Sequence, residues 1–451
     1  MNTAEVRQRF VGYYENMGYR LLPSAPMIDP SIPMSFVMSA GLVQVENSLV
    51  RSTTREGNQF VLVQNCFRHF DLEKVSTDDT HLSLFTMPGA FVFGPNDKAS
   101  AVTKMWTLAT TVLGLQKENI WVSYFKGGVV CGNYLPEDSI TRRAWLDVDI
   151  SEIHIIGLGT DNNYWIQGNG IEDTSITRKC GPNTELFYDK GREQACGNDC
   201  KPGCICGRFI EFSNSLFICS EIKQNSGYIL PLENPFSETV IGAERVSMIH
   251  QKASSVFDIE EFQPILETIH KLVHVNHLPE SWILPSERVI ADHLRGLFYL
   301  VASGAPPPGK NGRERIVKML VRRVITRLII LNIDVLKYIP VLVTSISNSI
   351  SDIGNKDAVS GVLIGYFFSE IEKFMKTIQR GKRQLLKFLK ENNGNLLSNQ
   401  QILCLEKKWG LPSLLTELVL SQQGLGFAEI KYQVALKTTI NNSQESSVVG
   451  G

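Results

Sequence analysis

The first residues, MNTAEVRQRFVGYYENMGYR, alternate apolar and polar positions at helical spacing and stop near Gly18, which predicts an amphipathic helix over residues 1–20. Between about 35 and 130 the pattern shortens to apolar runs of strand length, QFVLVQNCF, HLSLFTM and GAFVFG, with NIWVSYF and SEIHIIGLG as further strands. Helical patterns cover 98–114 and roughly 243–275. Strands dominate and helices are interspersed without strict alternation. That predicts an α+β fold with an antiparallel sheet rather than a doubly wound one. From about 259 long amphipathic helices take over, at 259–275, 286–303, 312–331, 333–349, 356–391 and 413–423. APPPGKNG at 305–312 separates two of them, because consecutive prolines cannot continue a helix. The ending TTINNSQESSVVGG is polar enough to predict disorder. No internal repeat is visible. The expected organisation is a first domain over 1–258, a helical domain over 259–436 and a tail over 437–451.

Composition alters this picture little. Hydrophobic residues are 43% and charged residues 20% of 451, an ordinary globular balance. No apolar run reaches ~18 residues, so no membrane span is expected. The N-terminus lacks the apolar core of a signal peptide, so the expected location is cytoplasmic. The formal charge of -1 hides a local asymmetry. Residues 310–327 carry seven Lys/Arg against one Glu, and residues 373–390 carry seven and no acid. Two such basic helices in one half of a neutral chain point to a polyanion surface.

Four of the nine cysteines fall within eleven residues, Cys196, Cys200, Cys204 and Cys206, spaced by Gly, Asp and Pro. A cytoplasmic chain argues against a disulfide framework. Four thiolates at this spacing can wrap a tetrahedral Zn²⁺, structural because every position would be filled, with Cys180 as an outside candidate for a ligand. His270, His274 and His277 imitate half of a metal site, but no histidine follows His293, so helix-face positions are expected for them.

Two arginines stand out as chemistry. Arg68 closes the strand run VLVQNCFR, and Arg245 lies in the helix that opens after Gly242 in IGAERVSMIHQ. A guanidinium on a rigid element grips phosphate or carboxylate through two parallel hydrogen bonds. That is the requirement for holding a carboxylate in line with the α-phosphate of ATP.

The segments around these arginines resemble alanyl-tRNA synthetases, of the class II aminoacyl-tRNA synthetases. CFRHFDLEKVSTDDTHLSLFTMPGAFVFG is similar to their motif 2, and GYRLLPSAPMIDPSIPMSFVMSAGLVQ to their motif 1 region. NYWIQG with CGPNTELFYD resembles the stretch that closes the amino-acid pocket, and GRFIEFSNSLF the strand whose Asn meets the substrate. SETVIGAERVSMIHQ resembles motif 3. The likeness runs in family order over about 4–430. It implies a catalytic domain on an antiparallel sheet, followed by a helical domain for the tRNA acceptor stem. It implies that Arg68 holds the α-phosphate and substrate carboxylate, and that Arg245 contacts the triphosphate and covers adenine. His81, Met87 and Glu244 would complete the ATP site, with Mg²⁺. Trp165 would wall the amino-acid pocket and Asn214 face the substrate, with Leu216, Glu238 and Val240 beside them. Lys310, Asn311, Arg313, Arg322, Arg323 and Lys407 would meet tRNA.

The departures are specific. After Arg68 the family has two glycines and a lysine that Arg68-His69-Phe70-Asp71 skips. Its motif 3 Asp becomes Glu238, one methylene longer, and a glycine becomes Val240, where an added branch costs on the order of 1–3 kcal/mol in a packed site. The two residues that read a G·U pair align with Lys310 and Lys407, which suit phosphate better than base edges. The family's later Cys-x3-His, the other half of its editing site, is absent. Three readings stay open: a ligase charging tRNA with alanine or another small amino acid, a paralogue activating a different amino acid for a tRNA or carrier acceptor, and a non-catalytic RNA-binding or regulatory paralogue. Oligomeric state is not legible.

Overall fold

The structure, a computed structural model, describes residues 1–28, 41, 58–95, 97–168, 176–273, 278–392 and 397–422. The predicted tail at 437–451, most of the motif 1 segment, His274 and His277 lie outside them. The chain forms two compact units, Met1–Gln263 and one that begins at Pro264.

The first unit opens on helix α1 (Thr3–Glu15). The Asn2 side chain accepts from the Glu5 N–H while the Glu5 carboxylate accepts from the Asn2 N–H, a reciprocal cap worth about 1 kcal/mol. Val6, Phe10 and Tyr14 recur at helical spacing on its buried face. In chain order there follow β1 (Arg20–Leu21), β2 (Gln59–Phe67), β3 (Leu84–Phe93), helix α2 (Lys98–Thr107), β4 (Ile120–Phe125), the hairpin β5 (Gly128–Val130) and β6 (Asn133–Leu135), and helix α3 (Ser139–Asp147). Next come β7 (Ile155–Leu158), the short helix α4 (Thr160–Asn163), β8 (Tyr164–Ile166), β9 (Arg178–Asp189), β10 (Phe209–Ile222), β11 (Ile229–Ile241) and helix α5 (Ala243–Gln251).

Among the described residues nine strands make one sheet in the order β1-β2-β3-β11-β10-β9-β4-β7, with β8 also on β9. Its centre is antiparallel, as expected, and among the described residues only the pairs β1/β2 and β4/β7 are parallel. The two apolar runs either side of Pro88 form a single strand, β3, where two were expected. β11 pairs with β3 only from Gly89 onward, so the missing Pro88 N–H is asked for on one side at most.

The second unit is helical: α6 (Gln263–Leu272), α7 (Glu280–Ala302), α8 (Gly312–Ile330), α9 (Val335–Ser349), α10 (Lys356–Glu391), α11 (Asn399–Lys407) and α12 (Ser413–Gln422). The proline break stands between α7 and α8 as predicted. α7 begins six residues before the expected 286, because Trp282 is buried and anchors a first turn that Pro285 does not interrupt. Among the described residues no single helix is long and apolar enough to cross a membrane.

Candidate active site

Strand alternation assembles the site on one face of the sheet. Registered neighbours share a face, and successive side chains point to opposite faces. The pairs Cys66–Phe85, Gln64–Met87, Gly89–Val240, Val240–Asn214, Leu216–Glu238, Asn214–Glu185, Leu216–Asn183 and Trp165–Gly181 therefore run continuously from β2 to β8. Arg68, two residues past Cys66, extends the row, and its guanidinium lies 4.9 Å from the centre of the Phe85 ring.

Beyond that row lies a cavity of about 250 Å³ whose wall includes Arg68, Lys74, His81, Met87, Glu244 and Arg245. Every residue that the resemblance places at ATP is in it. Arg245 is held rigidly: its Nη1 donates to the Glu211 carbonyl at 2.7 Å and its Nε to the Thr80 carbonyl at 3.4 Å, with the Glu211 carboxylate 3.6 Å away. Glu244 is 2% exposed, and both its carboxylate oxygens accept from the Thr86 N–H at 3.0 Å. It ties α5 to β3. His81 Nδ1 lies 2.5 Å from Asp78 Oδ2, and the Asp78 carboxylate also accepts the Thr80 and His81 N–H groups. Burial would raise Asp78, but those hydrogen bonds outweigh it and hold the carboxyl well below its usual range. Lys74 was missed from sequence. The shortened motif 2 loop omits the family's lysine, yet it folds Lys74 into the same wall.

An adjoining cavity of about 350 Å³ is bordered by Asp161, Trp165, Asn183, Glu185, Asn214 and Leu216. Asn214 borders both cavities, so the two expected pockets meet at the residue expected to face substrate. Val240 borders the first cavity rather than the second, and Glu238, 4% exposed beside Leu216, borders neither. Glu185 was not foreseen. Asn183 and Asn214 donate to its Oε1 at 3.4 Å, and Ser123 Oγ to its Oε2 at 3.4 Å. Burial, and then the neighbouring Glu211, push its carboxyl far above the ordinary range. The available signal was an acidic residue within each of two apolar strand runs, TELFYD and FIEFSN.

In the second unit the predicted cations divide. Lys310 and Asn311 are exposed just before α8, and Lys407 is exposed at the end of α11. Arg313 is buried. Arg322 pairs with the buried Glu370 at 2.6 Å and lies over Phe374, while the Arg323 Nε donates to Nε2 of the buried His293 at 2.9 Å. Those two guanidinia brace helix packing. On α10, by contrast, Lys373, Lys376, Arg380, Arg383, Lys387 and Lys390 are exposed. His270 sits on a helix face against Glu287 at 2.9 Å.

Cys196, Cys200 and Cys204 bring their sulfurs within 4.8 Å of one another, and Cys206 Sγ lies 3.5 Å from Cys200 Sγ. Cys180 is not among them. It is buried in another apolar cluster with Phe125 and Ile222, its sulfur 3.5 Å from the Tyr164 hydroxyl, which corrects its candidacy as a ligand.

With this geometry in place, comparison with known proteins is direct. An alanine–tRNA ligase from Clostridioides difficile is 28% identical over 437 residues, covering 95% of this chain and 47% of the relative. One from Hydrogenovibrio crunogenus is 28% identical over 458 residues, covering 100% of this chain and 50% of the relative. The chain thus spans about half the length of the curated relatives it matches. The solved structure of apo histidyl-tRNA synthetase from S. aureus aligns over 57% of this chain and 68% of its own, at 10% identity and a TM-score of 0.33. The model of the family described as tRNA synthetases class II (A) matches residues 5–450, and the chain belongs to that family.

Proposed function

We propose that this chain activates alanine or another small amino acid with ATP and passes it to the end of a tRNA. The carrying observation is Arg68 and Arg245, from elements 177 residues apart in sequence, meeting on one cavity that shares Asn214 with a second. In this reading Arg68 bridges the substrate carboxylate and the α-phosphate, and Arg245 grips the triphosphate from a position its two carbonyl acceptors already fix. Such preorganisation costs nothing at the moment of reaction, which is why it stabilises the charge developing on phosphorus. Met87 and His81 border the nucleotide. Trp165, Asn214 and Leu216 border the amino acid. Mg²⁺ takes hard oxygen ligands, and the carboxylates that would supply them are Glu211 on the first cavity and Glu185 on the second. When bound, it would neutralise phosphate charge.

Val240 narrows the first cavity, the one this reading gives to ATP, rather than the amino-acid cavity. Its Cγ1 would lie 3.3 Å from a Cβ at Gly89, so little space remains between the two strands there. The acceptor is read as tRNA because the exposed cations of α10, with Lys310 and Lys407, suit a phosphate backbone. A cytoplasmic location belongs to the same reading. ATP–pyrophosphate exchange across a panel of small amino acids tests it. Exchange that depends on one of them is the expected result, and none with any amino acid would leave a non-catalytic paralogue.

A further inference from the structure

The cavity given to the amino acid has a polar floor. Asn183 on β9 and Leu216 on β10 are registered neighbours, so their side chains stand together on the face that the cavity occupies. Asn183 is 3% exposed, and its carbonyl accepts from the Asn163 Nδ2 at 3.1 Å. Its Nδ2 is surrounded by three oxygens: Asn214 Oδ1 at 3.3 Å, and Glu185 Oε1 and the Asn162 carbonyl, each at 3.4 Å. Turning the amide over would set oxygen against oxygen at all three places, so its surroundings decide its orientation. The Asn183 Oδ1 is left as an open acceptor, and among the described residues nothing donates to it.

Size and charge point the same way. Pockets for drug-sized ligands begin at about 300 Å³, and this cavity is about 350 Å³, whereas alanine brings it a single methyl group beyond the reacting atoms. Trp165 and Leu216 supply apolar walls for a short carbon stem. Two carboxylates, Asp161 and Glu185, border the cavity, and among the described residues no Lys, Arg or His does. Asp161 is exposed and has no ion pair among the described residues. An acidic side chain would be repelled there, and an aliphatic one would cover the Asn183 oxygen without pairing it. An acceptor buried without a partner carries its full desolvation cost. A site that pairs such an acceptor with a substrate donor therefore rejects the analogue lacking that donor far more strongly than an apolar pocket can.

We infer that the amino acid activated here carries a short side chain ending in a hydrogen-bond donor, a hydroxyl or an ammonium, which Asn183 Oδ1 accepts, rather than the methyl group of alanine. This rests on the activation reading above and narrows its substrate class. Asn183 is then a specificity-determining residue with two duties: its Nδ2 holds Asn214 and Glu185 in place, and its Oδ1 reads the side chain. Asp161 separates the two donors. Its carboxylate attracts an ammonium by charge and gives a hydroxyl no such advantage.

Pyrophosphate exchange on the full chain tests this with serine and diaminopropionate against α-aminobutyrate, which has a methyl group in place of their hydroxyl or ammonium, and against alanine and aspartate. Serine or diaminopropionate should lead α-aminobutyrate and alanine by roughly 10- to 100-fold in kcat/KM, with aspartate inert. Asn183→Ala should pull that ratio toward one while the KM for ATP changes little. Should that variant fail to fold, the panel on the native chain still decides. In Asp161→Asn, a loss for diaminopropionate alone identifies the donor as an ammonium, and no loss for either substrate identifies it as a hydroxyl. Alanine or α-aminobutyrate matching both donors would overturn the inference and leave activation standing, as would an unchanged ratio in a folded Asn183→Ala. No exchange with any amino acid would remove the activation reading, and the inference with it.

Discussion

Arg245 shows how a single side chain is prepared for a task before any ligand arrives. Its guanidinium answers to two carbonyls from different parts of the chain, Thr80 and Glu211, which leaves it little rotational choice. Arg245→Ala and Arg68→Ala should each lower amino-acid-dependent pyrophosphate exchange by roughly 100- to 1000-fold with the fold intact by circular dichroism. Exchange near the wild-type rate in either would remove the adenylation assignment. Glu185 makes a different prediction. Its folded carboxyl is raised by burial and by Glu211, so above the ordinary unfolded value of about 4.3 the folded chain holds a proton that the unfolded chain has lost. Stability therefore falls as pH rises from there toward the raised value. Glu185→Gln should flatten that slope, raising Tm near neutral pH but not near pH 4, while cutting magnesium-dependent exchange. An unchanged dependence of Tm on pH would show that Glu185 ionises normally.

At the scale of elements, β9 and β10 meet at a register shift between Leu216 and Ser220, and Gly181 lies opposite it. A Cβ there would fall 1.9 Å from the Phe217 carbonyl oxygen, and backbone cannot step aside as a flexible side chain would. Gly181→Ala should cost roughly 3 kcal/mol or more, read by denaturant unfolding, and a near-neutral result would mean that the bulge relaxes freely. The motif CGPNTE showed that a glycine stands here but not why; the reason is a contact with a strand 36 residues away. Local signals served better where the cause was local. The long helices followed from their periodicity, and the break between α7 and α8 from its prolines. α11 escaped notice although Ser398 and Gln401 cap it reciprocally, because nine residues are too few for periodicity to stand out. The basic stretches of α8 and α10 looked alike in sequence, yet tertiary partners take up Arg322 and Arg323 and leave α10 solvated. Arg380, Arg383 and Lys387, all replaced by Ala, should therefore weaken tRNA binding. They should also reduce the slope of log affinity against log salt by roughly 0.7–0.9 for each lost phosphate contact. An unchanged slope would move the tRNA surface elsewhere.

At the scale of the whole molecule, both cavities fall within one unit. Each residue bordering the two cavities belongs to Met1–Gln263, and so does the cysteine loop. The first unit has the means to fold around its own sheet: Phe91 with Leu62, Phe187 with Phe209, and Ile218 with Phe236 are buried in clusters that draw only on its own residues. The helical unit buries its own core, including Leu294, Leu320, Val324 and Leu385. If activation and acceptor binding are divided in the same way, a chain ending at Gln263 should keep amino-acid-dependent pyrophosphate exchange within about tenfold, a loss of no more than ~1.4 kcal/mol in transition-state stabilisation. It should lose tRNA binding and aminoacylation outright. Exchange, tRNA titration and charging measured on one preparation, with circular dichroism to establish that it is folded, decide the matter. A folded truncation that no longer exchanges would mean that the helical unit takes part in activation itself. One that still charges tRNA would place the acceptor surface on the catalytic unit, and the exposed cations of α10 would then need another partner.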